Sequence, residues 1–327
     1  MKCLVRMPNW LGDCVMATPL LAALRAAYPE SSITAMCRGG VAALLERDPA
    51  IDTIFRFKRH SLLSRDSSEV VESLRSGQYD VALLLPNSFS SAWLAWQAGI
   101  PRRIGYTNWA RAMLLTDKVR LPRRSEHLVE SYMRLLTPLG VPPSKEGTRL
   151  FVGEEERQAA AERFGVVAPA IGFNVGAAYG PAKRWLPERY REVGAALLEA
   201  DPSLTLLFFG DSSMRSLIDE VTSGLSERAR NLAGETSLRE YMALLTLCER
   251  FVTNDSGPMH MADALGVQTV ALFGSTSPER TGPYNGSRVL YADVVCSPCY
   301  RRTCPVDFRC MKRLTVDAVL ESLCLKK

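Results

Sequence analysis

The chain has 327 residues, of which 47% are hydrophobic and 23% are charged, so it is long enough to form two globular domains. Its formal net charge of +5 is too small to indicate a nucleic-acid-binding protein. No apolar run reaches the roughly 18 residues that a transmembrane helix needs, and the first residues do not form a signal-peptide pattern. We therefore expect a cytoplasmic protein, whose nine cysteines are not by default a disulfide framework.

The first half of the chain alternates short apolar strands with amphipathic helices. The predicted strands are Cys3–Met7, Ser32–Cys37, Thr53–Phe57, Val81–Leu85 and a short edge strand, Arg103–Tyr106. The predicted helices are Val15–Tyr28, Val41–Glu46, Ser68–Ser76, Ser90–Ala98 and Glu126–Leu139. The continuous apolar run at Val81–Leu85 is typical of a parallel strand that is buried on both faces.

The second half restarts the same alternation after a polar segment around Gly140–Gly147. Its predicted strands are Ala170–Val175, Leu204–Phe209, Arg230–Leu232, Phe251–Thr253 and Thr269–Phe273. Its predicted helices are Glu154–Phe164, Pro187–Ala200, Met214–Ser223, Ser237–Cys248, Met259–Leu265 and Val316–Leu323. The pattern predicts two doubly wound α/β domains, residues 1–150 and 151–312, with a ligand between them at the carboxyl ends of the strands. Residues 313–327 would form a C-terminal helix.

The most informative stretch is Asn254-Asp255-Ser256-Gly257-Pro258-Met259-His260. It lies between a predicted strand and a predicted helix, so it brings backbone N–H groups and a helix N-terminus to one point. Such a point binds anions, and phosphate in particular. The side chains of Asp255, Ser256 and His260 could add contacts to a ribose, a phosphate or a sugar hydroxyl.

A similar turn, Pro8-Asn9-Trp10-Leu11-Gly12-Asp13, follows the first strand. A carboxylate at Asp13 is favoured by the dipole of the helix that follows. It could accept a proton from an attacking hydroxyl, or it could simply cap the helix. Spacing alone favours the cap.

Three further segments follow strands and could contact a ligand. In the run Gly176–Trp185, small residues allow close approach of a ligand and Lys183 could neutralise a phosphate, although the P-loop spacing is absent. Gly210-Asp211 could contact a ribose or form an ordinary turn. The hydroxyls of Ser88, Ser90 and Ser91 could bind a polar acceptor or cap a helix.

Four cysteines cluster near the end of the chain. Cys296, Cys299, Cys304 and Cys310 have spacings that could fit a structural zinc site, but the paired C-x-x-C repeat of a strong zinc motif is absent. Free thiols packed in a loop are the expected state, with zinc as the alternative.

Taken together, these motifs resemble the bacterial ADP-heptose:lipopolysaccharide heptosyltransferases, glycosyltransferase family 9. The resemblance covers nearly the whole chain and is strongest to the type II enzymes. It is carried by six segments in order: Pro8–Asp13, Ala17-Thr18-Pro19, Asn87–Ala92, Arg103–Tyr106, Gly180–Trp185 and Asp255–His260, and also by the cluster that begins Cys296-Ser297-Pro298-Cys299.

The resemblance implies a GT-B fold, with two Rossmann-like domains facing one cleft. It also implies that the C-terminal helix, residues 313–327, packs back toward the first domain. It implies an enzyme, an inverting glycosyltransferase that moves heptose from ADP-L-glycero-D-manno-heptose to the inner-core heptose of lipopolysaccharide and requires no metal or other cofactor. The acceptor, lipid A carrying Kdo and heptose, would place the enzyme at the inner face of the inner membrane as a peripheral protein. A basic stretch around Arg102–Arg124 could meet anionic lipid there, or it could be an ordinary solvated surface.

The resemblance also assigns roles to individual residues. The family's catalytic base falls on Asp13, its phosphate-contacting lysine on Lys183, and its donor-binding pattern on Asp255, Gly257 and His260. The residues that we expect to bind the donor are Gly12, Tyr179, Gly180, Lys183, Gly210, Asp211, Asp255, Ser256, Gly257, Met259 and His260. The residues that we expect to bind the acceptor are Asn9, Trp10, Ser88, Ser90 and Ser91.

Three alternatives stay open at this point. The chain could be a family 9 heptosyltransferase with a different acceptor, a sugar-nucleotide epimerase of the same fold, or a nucleotide-binding module without activity. A dehydrogenase is disfavoured, because no G-x-G-x-x-G follows the first strand.

Overall fold

The computed structural model describes residues 1–58, 65–121, 126–143, 145–166 and 169–323, with backbone only for residues 65 and 66. The chain divides into two compact units, Met1–Phe151 and Val152–Lys327. Each unit is built around one parallel six-stranded sheet.

The first unit has the strand order β3-β2-β1-β4-β5-β6. Its strands are β1 (Lys2–Arg6), β2 (Ser32–Arg38), β3 (Thr53–Phe57), β4 (Val81–Leu84), β5 (Arg102–Tyr106) and β6 (Asp117–Val119). Its helices are α1 (Leu11–Met16), α2 (Thr18–Ala27), α3 (Gly39–Ala42), α4 (Arg65–Ser76), α5 (Phe89–Gln97) and α6 (Leu128–Met133). Short 3-10 helices span Ala43–Leu45, Ala112–Leu114 and Arg134–Leu139.

The second unit has the strand order β12-β11-β10-β7-β8-β9, which is the same topology. Its strands are β7 (Ala170–Asn174), β8 (Thr205–Phe209), β9 (Ala229–Asn231), β10 (Cys248–Asn254), β11 (Gln268–Phe273) and β12 (Arg288–Tyr291). Its helices are α7 (Glu154–Phe164), α8 (Pro187–Ala200), α9 (Arg215–Thr222), α10 (Leu238–Leu245), α11 (Gly257–Ala264), α12 (Pro278–Thr281), α13 (Arg309–Lys312) and α14 (Val316–Leu323). Short 3-10 helices span Pro181–Lys183 and Ser212–Met214.

Both sheets have the doubly wound order, in which the direction of strand addition reverses once. The reversal lies between β1 and β4 in one unit and between β7 and β10 in the other. The prediction of two Rossmann-like α/β units is therefore confirmed. In such sheets a ligand binds outside the carboxyl ends of the strands, at the point where the order reverses. This topology selects the loops after β1, β4, β7 and β10 as the places to look for function.

The predicted helix Val15–Tyr28 is two helices, because the chain breaks at Ala17. Pro19 lies in the first turn of α2, where its missing N–H costs nothing, but inside one continuous helix it would leave the Val15 carbonyl without a donor. The Thr18 hydroxyl donates to the Val15 carbonyl instead, at 2.8 Å.

Two strands at sheet edges escaped prediction. The prediction of β5 as an edge strand was wrong, because β6 pairs with it on the outer side. β6 has only three residues and a polar sequence, and β12 is only half-buried. β6 therefore lacks the apolar run that marks the inner strands, whereas the run Val289-Leu290-Tyr291 of β12 was missed.

The core of the second unit packs aromatic residues around Phe173 of β7. Phe173 stacks on Phe208 with ring centroids 4.7 Å apart, and Trp185 meets Tyr190 edge-to-face at 5.1 Å. Helix α14 packs against α8 and the β11–β12 side of the same sheet. These contacts of α14 are with its own unit, and its packing toward the first unit stays a prediction.

Gly172, in the middle of β7, is a test of this packing. A methyl group added at Gly172 would lie 2.7 Å from the Phe251 ring and 3.2 Å from the sulfur of Cys248. We expect Gly172→Ala to lower the free energy of unfolding by about 1–3 kcal/mol, the usual cost of overpacking a core. Chemical denaturation measures it, and Gly40→Ala is the control, since a methyl there meets nothing within 4 Å. Equal stability of the two variants would contradict the packing described.

Candidate active site

Two asparagines end the two strands that meet where the second sheet reverses direction. Asn174 is the last residue of β7, Asn254 is the last residue of β10, and both are buried. The loop after Asn174 leads to Lys183, and the loop after Asn254 is the anion-binding turn predicted from the sequence. Because β7 and β10 are hydrogen-bonded neighbours, the topology brings these two segments together.

The Asn254 side chain fixes the loop that leaves β7. Its Nδ2 donates to the carbonyl of Val175 at 2.7 Å. Its Oδ1 accepts from the backbone N–H of Trp185 at 2.9 Å and from the Tyr190 hydroxyl at 3.0 Å. One buried amide therefore holds both ends of the segment 175–185, so the position of Lys183 within that segment is set by the sheet beneath it.

The Asn174 side chain makes the reciprocal contact with the loop that leaves β10. Its Nδ2 lies 2.9 Å from the hydroxyl oxygen of Ser256 and 3.1 Å from that of Thr253. The Ser256 hydroxyl donates in turn to the carbonyl of Asn254 at 3.1 Å. Ser256 is the residue that precedes helix α11, so Asn174 fixes the N-terminus of that helix.

Lys183 and Asp255 form an ion pair at this point. The Nζ atom of Lys183 contacts Oδ2 of Asp255, and the hydroxyl of Thr276 contacts the same oxygen. The Lys183 side chain is 12% exposed and that of Asp255 is 4% exposed. The Nζ atom also lies 4.9 Å from the centroid of the Tyr179 ring. The structure thus brings together three of the residues predicted for the donor site.

The N-terminus of helix α11 lies beside this ion pair. Gly257 is its first residue, and Pro258 in its first turn leaves no N–H unsatisfied. His260 is buried within the helix. Met259 is fully buried and packs with Ala271 and Phe273, so its side chain belongs to the core rather than to a ligand-facing surface.

Tyr179 and Gly180 are held by a segment that comes much later in the chain. The Tyr179 hydroxyl donates to the carbonyl of Tyr300 at 2.7 Å. Gly180 has a φ of +152°, and a Cβ atom there would lie 2.4 Å from the carbonyl oxygen of Arg302. Only glycine fits such a position, because both the backbone conformation and the close approach exclude a side chain.

Gly210 and Asp211 lie at the end of β8. Asp211 is exposed and its carboxylate accepts from the backbone N–H of Ser213 at 2.8 Å, which is an ordinary cap. A methyl group at Gly210 would lie 2.9 Å from the Met214 Cβ atom. These contacts account for both residues as a turn, and their predicted contact with a donor stays a prediction.

In the first unit a buried arginine ends β1. Arg6 is 6% exposed, its Nη2 donates to the side-chain oxygen of Asn9 at 2.7 Å, and its guanidinium lies 4.5 Å from the centroid of the Phe57 ring. Burial lowers the pKa of Arg6 to about 10, so it stays a cation at neutral pH. Arg6 therefore fixes the turn that presents Trp10, which is 59% exposed.

Asp13 lies in the first turn of α1 and is half-buried, whereas Gly12 is buried. Helix α6 packs against α1 and carries the buried Tyr132. Burial first, and then the charge of Asp13, raises the pKa of Tyr132. The carboxylate therefore stands close to a neutral phenol, at the carboxyl edge of the first sheet.

The three serines after β4 are engaged around the start of α5. Ser88 is the N-cap and accepts from the backbone N–H of Ser91 at 3.3 Å. Ser91 is buried, and its hydroxyl contacts the carbonyls of Ser88 at 2.7 Å and Pro86 at 3.0 Å. The structure thus shows the capping alternative for Ser88 and an internal role for Ser91. Acceptor binding stays a prediction for Ser88 and Ser90, which keep exposed surface.

Several arginines of the basic stretch form contacts within the first unit and are not free surface charges. Arg111 is fully buried and donates to the Pro86 carbonyl at 2.6 Å. Arg102 pairs with Asp117 at 2.9 Å, and Arg103 donates to the Leu114 carbonyl at 2.7 Å. Three of its charges are thus used inside the unit. Two others, at positions 123 and 124, lie outside the described residues.

The four cysteines near the end of the chain are free thiols. Cys296 and Cys299 are exposed, Cys304 is half-buried and Cys310 is buried. Across the described residues, no group of three or more His, Cys, Asp or Glu side chains is arranged to hold a metal ion. The zinc alternative therefore gains no support from the geometry.

Sequence reasoning missed the residues that organise the site. Asn174 and Thr276 were not singled out, and neither were Tyr300 and Arg302. Asn174 carried a usable signal, since a polar residue that ends an apolar parallel strand beside another such strand marks the reversal point of the sheet. The contacts of Arg302 span more than a hundred residues of sequence and left no local pattern.

Comparison with known proteins gives one consistent result. The sequence profile of glycosyltransferase family 9 (heptosyltransferase) matches residues 68–308. Lipopolysaccharide heptosyltransferase 2 of Escherichia coli strain K12 is 36% identical over 299 residues, which cover 86% of this chain and 85% of that protein. Lipooligosaccharide heptosyltransferase 2 of Haemophilus ducreyi is 33% identical over 89% of this chain and 88% of that protein.

A solved structure agrees with the sequence comparisons. The structure of E. coli ADP-heptose lps heptosyltransferase II superimposes with a TM-score of 0.87 at 33% identity, over 99% of this chain and 97% of that one. The fold and the site thus define a GT-B glycosyltransferase. The chain belongs to glycosyltransferase family 9, the heptosyltransferases. The fold, the family and the enzymatic class predicted from the sequence are confirmed.

Asn254 offers a direct test of how the site is built. In Asn254→Asp, the donor to the Val175 carbonyl becomes an acceptor, so two oxygens would face each other in a buried place. We expect the free energy of unfolding to fall by about 1–3 kcal/mol. The matched control is Asn108→Asp, because Oδ1 of Asn108 already accepts from backbone N–H groups and its Nδ2 makes only a 3.3 Å contact. Equal losses in both variants would contradict a special role for Asn254.

Proposed function

We propose that this protein transfers heptose from ADP-L-glycero-D-manno-heptose to the inner-core heptose of lipopolysaccharide, with inversion at the anomeric carbon. The observation that carries the proposal is the half-buried Lys183 beside the N-terminus of helix α11, at the reversal point of the second sheet. A family profile and relatives with the type II name support the same substrate class. Among the alternatives, the family assignment favours a heptosyltransferase over an epimerase or an inactive module.

The proposal assigns the two substrates to different units. Residues 151–312 bind ADP-heptose through the loops after β7 and β10, with its diphosphate at Lys183 and at the backbone amides of α11. Residues 1–150 bind the acceptor through the turn after β1 and the loop after β4, including Asn9, Trp10, Ser88 and Ser90. The acceptor is anchored in lipid, so the enzyme works as a peripheral protein at the inner face of the inner membrane. Among the described residues, no helix is long and apolar enough to span a membrane.

The proposed reaction is a single displacement. The acceptor hydroxyl attacks the anomeric carbon of the donor heptose and passes its proton to the carboxylate of Asp13. A new carbon–oxygen bond forms as the bond to the diphosphate breaks, and ADP leaves with the electron pair. Negative charge grows on the diphosphate during this step, so a cation and backbone N–H groups fixed at that place stabilise the transition state more than the ground state.

The experiment that tests the function is acceptor-dependent release of ADP. Purified protein would be mixed with ADP-heptose, with and without lipid A that carries Kdo and one heptose, and the product analysed for the added heptose and its anomeric configuration. The proposal expects ADP release only with the acceptor, and inverted stereochemistry. ADP release that is independent of acceptor, or heptose found only on a different acceptor, would contradict it.

Asp13 is the group to change in order to test the proton transfer. Asn keeps the shape and the helix position of Asp13 but cannot accept the proton, so Asp13→Asn should lower kcat by about 10²- to 10⁴-fold. The affinity for ADP, measured by calorimetry, should be unchanged, because Asp13 lies in the acceptor unit of the proposal. Near-normal turnover would show that Asp13 is not the general base and would leave helix capping as its role.

Lys183 and Asp255 are best tested together. Lys183→Ala removes the cation and leaves the buried Asp255 carboxylate unpaired beside the diphosphate. We expect kcat to fall by about 10²- to 10³-fold, the usual loss for one electrostatic contact to a transition state, and ADP affinity to fall as well. The double variant Lys183→Ala/Asp255→Asn should bind ADP more tightly than Lys183→Ala, because the repelling charge is gone. Equal ADP affinity in the single and double variants would place the diphosphate elsewhere.

A further inference from the structure

A segment after β12, residues 294–308, crosses the carboxyl end of β11, and we call it the cysteine-rich segment. The Ser297 hydroxyl donates to the carbonyl of Gly274, the residue after β11. The backbone N–H of Tyr300 donates to the carbonyl of Ser275 at 2.7 Å. These bonds attach the segment to the sheet at the same edge as the candidate donor site.

The cysteine-rich segment is joined to the loop that carries Lys183 by three contacts. The Tyr179 hydroxyl donates to the Tyr300 carbonyl at 2.7 Å, and the backbone N–H of Ala182 donates to the Arg302 carbonyl at 3.0 Å. The carbonyl of Arg302 also approaches Gly180 so closely that no side chain fits there. The backbone of Arg302 is therefore fixed directly beside the loop of the donor site.

The side chain of Arg302 turns to the same tyrosine as Lys183. Its guanidinium carbon lies 5.3 Å from the centroid of the Tyr179 ring, and the Lys183 Nζ atom lies 4.9 Å from that centroid. The two charges are therefore no farther apart than the sum of these distances. Arg302 is exposed, and in the part of the chain that the structure describes its guanidinium pairs with no carboxylate.

The charges at the site indicate what Arg302 is for. Lys183 is paired with Asp255, so these two side chains together bring no net charge to a nucleotide diphosphate. The N-terminus of α11 adds only a partial positive charge, about half of one elementary charge. A guanidinium suits a diphosphate well, because its planar donors can bind two oxygens at once.

We propose that Arg302 binds the diphosphate of the sugar nucleotide and supplies to the leaving group the net positive charge that the Lys183–Asp255 pair does not bring. This inference rests on the proposed function, since it deepens the donor site of the same reaction. It gives the cysteine-rich segment a supporting role beside the donor site, because its backbone bonds to Tyr179 and Ala182 hold Arg302 in place.

The test compares three variants, of which only those at Arg302 should change diphosphate binding. Arg302→Gln removes the charge, Arg302→Lys keeps it, and Arg301→Gln removes the charge of the neighbouring exposed arginine as a matched control. Calorimetry would measure binding of ADP and of AMP, and steady-state kinetics would give kcat and KM for ADP-heptose. Thermal unfolding would be recorded for each variant.

We expect Arg302→Gln to weaken ADP binding about tenfold or more, as for the loss of a hydrogen bond to a charged group. AMP binding should fall much less, kcat should fall together with ADP affinity, and Arg302→Lys should recover part of both. Arg301→Gln should match the wild type. Equal losses for ADP and AMP, lower thermal stability with unchanged ADP affinity, or no loss at all would overturn the proposal. Wild-type protein that binds ADP but transfers no heptose would instead refute the proposed function and leave Arg302 as a diphosphate ligand.

Discussion

The site depends on the parallel pairing of β7 with β10, and on the two buried asparagines that end these strands. Neighbouring parallel strands deliver their carboxyl ends to one edge, and at this reversal point the loops that follow them diverge to opposite faces of the sheet. A gap between diverging loops would normally leave backbone groups unsatisfied. Here the amides of Asn174 and Asn254 bond across it and fix each loop to the other strand. These bonds fix the positions of the Lys183 cation and of the N-terminus of α11.

Fixed charge is the chemical use of that arrangement. A dipole or cation that is already in place when charge develops in a reaction costs no reorganisation, and it is worth more where water is largely excluded. Lys183 is only 12% exposed and is held by Asp255, which is itself held by Thr276. Such a chain of contacts limits the freedom of a lysine side chain that would otherwise lose much rotamer entropy on binding an anion. The pair also keeps a buried carboxylate from standing alone when the nucleotide is absent.

The sequence predicted the fold class and the inner strands because buried parallel strands are continuous apolar runs, as in Val81–Leu84 and Thr205–Phe209. It did not predict β6, a three-residue polar edge strand without such a run, and the short apolar run of the edge strand β12 was missed. The motif Asp255–His260 could be recognised because a strand, a polar turn and a helix follow one another within a few residues. The contacts of Tyr300 and Arg302 with the Tyr179 loop could not, because they depend on how distant parts of the chain meet. The same limit explains Ser91 and Met259, whose side chains the structure places in internal roles.

The central claim is that the nucleotide diphosphate binds at the reversal point of the second sheet. Hydrogen–deuterium exchange of the whole protein with and without ADP tests it most directly, since binding should slow the exchange of amides that contact or enclose the ligand. The account predicts protection in segments 175–185 and 255–260, and in the part of the cysteine-rich segment around Arg302. It predicts no protection in the acceptor-binding loop Ser88–Ser91 of the first unit. Protection confined to the first unit, or absent from segment 175–185, would contradict the account.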